Sequence, residues 1–179
     1  MAGQGVFSLA PYHIISYGTM LGTSFWHSFV GGIVMFRTLE RPQFAAVQSK
    51  LFPIYFSLQT AVPAILAITH PGNSGALLNL DGILDPANRL TALVPIAAMF
   101  TSALVNLVAV LPATTEVMAK RRQQEKKDGK KSYDPAPHSQ EMLALNKKFG
   151  KLHGISSLLN LTTFIATIAY GFHLGSRLH

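Results

Sequence analysis

The sequence contains no cysteine and few charged residues. Without cysteine, a disulfide framework, a thiolate metal site and a cysteine nucleophile are all excluded. Only 13% of the 179 residues are Asp, Glu, Lys or Arg, against roughly 25% in ordinary soluble domains. Hydrophobic residues make up 49% of the chain, and the mean hydropathy is +0.29. This composition indicates a protein whose solvent is lipid.

Basic residues are also absent from a large part of the chain. Residues 1–36 contain no Lys or Arg, whereas ten of the fifteen Lys and Arg lie between Lys120 and Lys151. The pI of about 9.9 therefore reflects one segment. No aromatic-rich basic motif or zinc-ligand pattern accompanies that segment, so we expect no nucleic-acid partner. A basic cytosolic loop of a membrane protein explains the same residues.

Four apolar stretches predict an all-α fold, a four-span transmembrane helical bundle formed by the whole chain as one membrane domain. The spans lie at about 12–36, 51–68, 90–111 and 154–174, and a span needs about 20 residues. The first span is expected to be retained rather than cleaved as a signal. A basic loop at 113–152 separates spans three and four. It contains no Gly before Gly129, which predicts that the third helix continues into water and that a second helix starts at 140, giving a cytosolic helical hairpin.

The charges of the loops predict the orientation. Three cations follow the first span between 37 and 50, and ten follow the third, whereas the second loop has Arg89 against Asp81 and Asp85. Because positive loops stay in the cytosol, the basic loop should be cytosolic and both termini should be lumenal or exterior. The expected location is the endomembrane system or the plasma membrane.

Small and polar residues recur on one side of several spans. Gly18 and Gly22 form a small-xxx-small pair that could join two copies of the chain. At 100° per residue, polar positions on spans three and four fall within narrow arcs that should face inward. These positions are Ser102, Asn106, Ser156, Asn160, Thr163 and Thr167. They either serve packing alone or line a hydrated pathway. His27, inside the first span, either donates to a carbonyl of a neighbouring helix or relays protons.

A second group of polar residues should meet at the cytosolic boundary, where the ends of all four spans come together. Arg and Lys at an interface pair readily with phosphate oxygens, so the group could hold an anionic lipid headgroup or an anionic solute. Alternatively, Glu116 neutralises one cation and the others reach to headgroups and set helix depth. The group consists of Arg37, Arg41, Gln48, Lys50, Glu116 and His153.

The sequence offers little for catalysis. It shows no Ser-His-Asp constellation, no phosphate-cradling glycine loop and no paired carboxylates at matching depth. The spacing of its histidines and asparagines does not define a metal site. We therefore expect a protein that is not an enzyme, with no catalytic residues, no bound metal and no cofactor.

The boundary motifs suggest a family. The sequence closely resembles the signature of the transmembrane protein 205 family in Phe36-Arg37-Thr38-Leu39-Glu40-Arg41, Val47-Gln48-Ser49-Lys50-Leu51-Phe52-Pro53, Pro112-Ala113-Thr114-Thr115 and His153-Gly154-Ile155-Ser156-Ser157-Leu158. The resemblance implies a small four-span protein of the endomembrane system or cell surface whose activity is poorly defined. It also implies a set of motif residues, namely Arg37, Arg41, Gln48, Lys50, Pro53, Asn106, Thr114, Thr115, His153, Ser156 and Asn160.

Three functional hypotheses follow from the sequence. The leading one is a non-enzymatic membrane protein that binds a lipid headgroup or small solute at the cytosolic boundary, or acts as an accessory or trafficking subunit of a membrane complex. The second is a small oligomeric transporter or channel with a path between spans three and four. The third is a scaffold that docks onto a larger complex through the basic hairpin.

Overall fold

A computed structural model describes residues 9–71 and 80–177. In these ranges the chain forms helices joined by turns, with no strand, which confirms the all-α prediction. Three helices are long and apolar enough to cross a membrane, namely Arg41–Thr69, Pro86–Asp128 and Gln140–Gly175. The chain therefore has the features of an integral membrane protein. The predicted side of the two termini falls largely on residues 1–8 and 178–179, outside the described residues.

The first helix, α1, runs through residues 9–38 without interruption. It consists of an α-helix at Leu9–Phe25, a π-helical turn at Trp26–Gly31 and an α-helix at Gly32–Thr38. It ends because Leu39 and Glu40 are extended. This helix covers the predicted first span but is not among the three that are apolar enough to cross a membrane.

The second helix, α2, spans Arg41–Thr69 and begins with a capping box. The Glu40 side chain accepts from the backbone of Gln43, and the Gln43 side chain accepts from the backbone N–H of Glu40, so two free N–H groups of the first turn are satisfied. The helix then continues through Pro53 and Pro63. The predicted second span is therefore the distal part of one longer helix.

The third helix, α3, extends over Pro86–Asp128 and contains two π-helical turns. These turns, Arg89–Leu93 and Asn106–Val110, each precede a proline, Pro95 and Pro112. Proline lacks the N–H that an α-helix needs and crowds the carbonyl four residues earlier, and a wider turn relieves both effects. The helix ends at Asp128 because Gly129 adopts the left-handed conformation, with φ of 64°. The sequence predicted this end.

The fourth helix, α4, is Gln140–Gly175, a single helix of 36 residues that Ser139 caps by accepting from Met142 N. The sequence predicted one amphipathic helix at 140–152 and a separate span at 154–174, whereas the structure joins them. Gly150 and Gly154, which lie at the expected junction, are both helical. Helix α4 runs antiparallel to α3, since Asn106 contacts Ser156 and Arg121 contacts Asn146.

The core lies between the four helices, closer to the end of the bundle that contains the C-terminal part of α4. It includes Met20 of α1, Leu66 of α2, Met99 of α3 and Tyr170 of α4, each at most 1% exposed. Helices α1 and α4 approach closely at Gly171, where a Cβ atom would overlap the Tyr17 hydroxyl.

The bundle has two ends that differ in their polar residues. The "basic end" comprises residues 37–50 and 113–153, and the "histidine end" comprises His13, Thr69, His70, Asn88, Tyr170, His173 and Arg177. At the basic end, α1 is connected to α2 and α3 is connected to α4.

Candidate functional sites

The residues predicted to form a boundary site lie at the basic end, and most are exposed. The side chains of Arg37, Arg41, Lys50 and His153 are exposed, whereas Gln48 is buried. The guanidinium of Arg41 lies 4.5 Å from the centre of the Phe36 ring. This contact holds the Arg41 side chain against Phe36, and the polar groups of all four exposed residues remain accessible.

Glu116 pairs with a residue of its own helix. The Lys120 ammonium lies 2.5 Å from the Glu116 carboxylate, one turn further along α3. This hydrogen bond and the positive charge of Lys120 hold the pKa of Glu116 below its ordinary value. Across the described ranges, no hydrogen bond or ion pair joins the six residues of the predicted boundary site to one another.

The loop between α3 and α4 folds onto the two helices as a compact hairpin. Arg121 Nε donates to Asn146 Oδ1 at 2.9 Å, and its guanidinium lies 4.5 Å from the Phe149 ring centre. Glu125 Oε1 accepts from the N–H and the hydroxyl of Ser132, at 3.0 and 2.5 Å. The hairpin is therefore an ordered structure that carries many of the basic residues.

The polar residues predicted to face inward lie along the contact between α3 and α4. Asn106 is fully buried, and its Nδ2 donates to the backbone carbonyl of Ser156 at 3.4 Å. Thr163 and Thr167 are also fully buried, and the Thr167 hydroxyl donates to the Thr163 carbonyl at 2.7 Å. Ser102 is 6% exposed, while Ser156 and Asn160 are half-buried.

Several buried amide oxygens in the interior have no hydrogen-bond partner within residues 9–71 and 80–177. They are Oε1 of Gln48 and Gln59 on α2 and Oδ1 of Asn106 and Asn160 on α3 and α4. Unpaired buried acceptors cost about 1–3 kcal/mol each and are therefore sites at which water or a ligand would be stabilised.

The sequence did not indicate the network around Gln59. Gln59 Nε2 donates to Tyr55 Oη at 2.7 Å and to Ser24 Oγ at 3.2 Å, which ties α2 to α1. The His27 ring packs against the Tyr55 ring at an interplanar angle of 35°, with centroids 4.2 Å apart. No hydrogen bond joins its imidazole to another residue in the described part of the chain, and both sequence-based hypotheses for His27 remain predictions.

At the histidine end, His13 lies in a chain of hydrogen bonds with a defined direction. The Thr69 hydroxyl donates its one proton to the Ile65 carbonyl at 2.7 Å. It must therefore accept from His13 Nδ1, 2.7 Å away. Nε2 of the neutral ring then accepts from the Tyr170 hydroxyl, also at 2.7 Å. Histidine and tyrosine are thus both paired although they are at most 2% exposed.

Two further histidines of this end are stacked and incompletely paired. The rings of His70 and His173 are nearly parallel, at 15°, with centroids 5.8 Å apart. His70 Nδ1 lies 3.1 Å from the Pro71 carbonyl and therefore donates to it. In the part of the chain that the structure describes, Nε2 of both rings is buried without a hydrogen-bond partner. Nearby, Arg177 Nη2 donates to Asn88 Oδ1 at 2.7 Å.

A signal for the histidine end was present on α4. Positions 160, 163, 167, 170 and 173 are each three or four residues apart, so Tyr170 and His173 continue the polar face that begins with Asn160. The partners His13 and His70 lie at sequence positions far from α4. Their proximity follows only from helix packing.

Helices of this length and apolarity, with polar side chains turned inward, define the class of integral membrane proteins. The comparisons give the family. A family described as "Domain of unknown function (DUF4149)" matches residues 15–123. The chain is 31% identical over 175 residues to xanthocillin biosynthesis cluster protein D of Aspergillus fumigatus, covering 98% of this chain and 94% of that protein. No solved structure matches the chain.

The chain therefore belongs to the DUF4149 family. The resemblance to the transmembrane protein 205 family is wrong, because the matching family and the relative are different ones. The motif segments at 36–53 and 112–115 lie within the matched residues 15–123. The motif at 153–158 lies outside the matched residues.

Proposed function

We propose that the protein is a non-enzymatic, four-span membrane protein whose basic end binds anionic lipid headgroups, and that it serves as a small accessory or trafficking subunit. In this proposal α1 is the remaining span. Its 30 residues reach about 45 Å, which exceeds the roughly 30 Å of the hydrocarbon core. Charged residues are absent from it before Arg37, and Ile15, Trp26 and Val34 are exposed apolar side chains on its surface.

The observation that carries the proposal is the set of unpaired cations at the basic end. Arg37, Arg41 and Lys50 are exposed and form no ion pair in the described parts of the chain. Each basic residue near an anionic membrane surface contributes about 1 kcal/mol. The charge distribution supports a cytosolic position for this end, in the endomembrane system or the plasma membrane.

The test is native mass spectrometry of the protein released from nanodiscs that contain phosphatidylcholine and phosphatidylserine. The wild type should retain phosphatidylserine in excess of its share of the bilayer. The variant Arg37→Gln/Arg41→Gln/Lys50→Gln should retain about a tenth or less, since it loses up to about 3 kcal/mol of attraction.

The matched control is Arg89→Gln, an exposed arginine at the other end of α3, which should retain as much phosphatidylserine as the wild type. Equal retention by the triple variant and the wild type would contradict a headgroup site. The same spectra report copies of the chain or a larger partner bound to it.

A second candidate function is transport of a polar solute between α3 and α4. The unpaired oxygens of Asn106 and Asn160 favour it, because an interior path needs polar groups that are free to bind the solute. Four helices enclose little space, so an oligomer would be required, and positions Gly18 and Gly22 face open space where a second copy could pack. Flux into proteoliposomes that Asn106→Leu leaves unchanged would count against this candidate.

A further inference from the structure

The histidine end contains polar atoms that the folded chain does not use. His70 is only 4% exposed, and its Nε2 is buried with no hydrogen-bond partner among the described residues, as is Nε2 of His173. The backbone carbonyl of Pro71 fixes the orientation of the His70 ring through Nδ1. A buried nitrogen without a partner costs free energy, and a ligand that pairs with it removes that cost.

The charges of this end determine which ligand fits. Arg177 is exposed, and one of its five N–H groups is bound to Asn88. The remaining groups of this fixed cation are available to an anionic oxygen. A metal cation would be repelled by the guanidinium, and in the described residues no group of three or more His, Asp or Glu is arranged to hold one.

We propose that the histidine end is a binding site for a phosphate-type oxyanion, held by Nε2 of His70, Nε2 of His173 and the guanidinium of Arg177. Because Nδ1 of His70 already donates to Pro71, the ring binds the anion with a second proton on Nε2. The negative charge of the ligand stabilises the imidazolium that results. The hydrogen-bonded pair of His13 and Tyr170 packs against this site. Both ring nitrogens of His13 are already paired, so His13 does not contribute to the anion site.

The site lies at the end of the bundle opposite the basic end and is independent of the headgroup site proposed there. Its phosphate can come from a free anion or from the headgroup of a lipid in the facing leaflet. Both sources share the same chemistry, in which two imidazoles and one guanidinium contact the phosphate oxygens.

The experiment is isothermal titration calorimetry of the full-length protein with inorganic phosphate, in nanodiscs made of phosphatidylcholine alone. His70→Gln and Arg177→Gln should each weaken phosphate binding at least tenfold. Arg89→Gln removes an exposed charge from the same end without touching the cluster and should change the affinity less than twofold. The triple variant of the basic end should also bind phosphate as the wild type does.

Two kinds of result would contradict the proposed phosphate site. Absence of phosphate binding by the wild type, or equal affinity in the wild type, His70→Gln and Arg177→Gln, would overturn the site. Loss of binding in the basic-end triple variant with retention in Arg177→Gln would overturn it as well. Arg177 is exposed, so Arg177→Gln preserves the test if His70→Gln fails to fold.

The source of the phosphate is decided by adding a few per cent of phosphatidic acid to the nanodiscs. Competition with inorganic phosphate, together with retention of phosphatidic acid by the wild type and not by Arg177→Gln, assigns the site to a lipid headgroup. Undiminished binding of inorganic phosphate assigns it to a free anion.

Discussion

At the scale of single residues, the interior contains two kinds of polar side chain. In the first kind every buried donor and acceptor has a hydrogen-bond partner, and in the second kind at least one buried atom has none among the described residues. His13 belongs to the first kind, because Tyr170 donates to it and it donates to Thr69. Gln59 satisfies its two donors through Tyr55 and Ser24 but leaves Oε1 unpaired. The matched group should serve stability, and the unmatched groups are the candidates for binding.

This distinction predicts the effect of Tyr170→Phe. The substitution removes the hydroxyl that donates to His13 Nε2 and leaves a buried acceptor without a partner. We expect the free energy of unfolding to fall by about 1–3 kcal/mol, measured by SDS titration in mixed micelles. Phosphate binding should persist, because His70, His173 and Arg177 remain.

The control is Tyr133→Phe, which removes a hydroxyl from a tyrosine that is 48% exposed. It should change the unfolding free energy by less than about 0.5 kcal/mol. If both variants were equally stable, the hydrogen bond between Tyr170 and His13 would contribute nothing to the fold.

At the scale of elements, the hairpin between α3 and α4 is held by Glu125. Burial alone would raise the pKa of this carboxyl, but the hydroxyl and N–H of Ser132 donate to it and Lys131 and Arg121 lie near, so the pKa is below its ordinary value. A carboxyl with a lower pKa in the folded state stabilises the fold when ionised. That contribution is present above the unfolded-state pKa and is lost as the pH falls through the folded-state pKa.

Glu125→Gln should therefore lower stability at neutral pH by about 1–2 kcal/mol, because the bonds from Ser132 lose their charged acceptor. Its melting temperature should also fall less than that of the wild type when the pH is lowered through the acid range. Thermal unfolding at several pH values in the same detergent measures both effects.

Glu141→Gln, an exposed acid in the first turn of α4, serves as the control and should keep the acid dependence of the wild type. Parallel pH profiles for Glu125→Gln and the wild type would show that the hydrogen bonds from Ser132 do not stabilise the ionised carboxylate.

At the scale of the whole molecule, the absence of cysteine allows a direct test of topology. Single cysteines at Ala10, Leu84 and Tyr133 replace exposed residues, and no other cysteine is present to react. Four spans place positions 10 and 84 on one side of the membrane and position 133 on the other. A membrane-impermeant maleimide, applied to sealed vesicles whose lumenal or exterior face points outward, should label Ala10→Cys and Leu84→Cys directly and Tyr133→Cys only after permeabilisation.

Direct labelling of Leu84→Cys together with labelling of Ala10→Cys only after permeabilisation would show that α1 does not cross the membrane, leaving three spans. The unsubstituted protein, which has no thiol, gives the background. Labelling of Tyr133→Cys in permeabilised membranes shows that this thiol is reactive.

The sequence by itself determined the features that depend on neighbouring residues. Apolar stretches specified helices, Gly129 specified the end of α3, and the spacing of Asn106, Asn160 and Thr163 placed them on inner faces. These features are local, because the helical repeat and the conformational freedom of glycine act within a few residues. The sequence did not predict that 140–152 and the following span form one helix. Glycine has a low helix propensity, yet Gly150 and Gly154 are helical because the packing of α4 against its neighbours outweighs that propensity.

Only the tertiary structure decided which polar groups meet. The bond between His13 and Tyr170 joins residues 157 positions apart, and the stacking of His70 on His173 joins the ends of α2 and α4. Glu116 could have paired with Arg37 or Lys50, but the shorter reach to Lys120 on the same helix face determined its partner. Contacts of this kind depend on the register and rotation of packed helices, which follow from the fit of many side chains together.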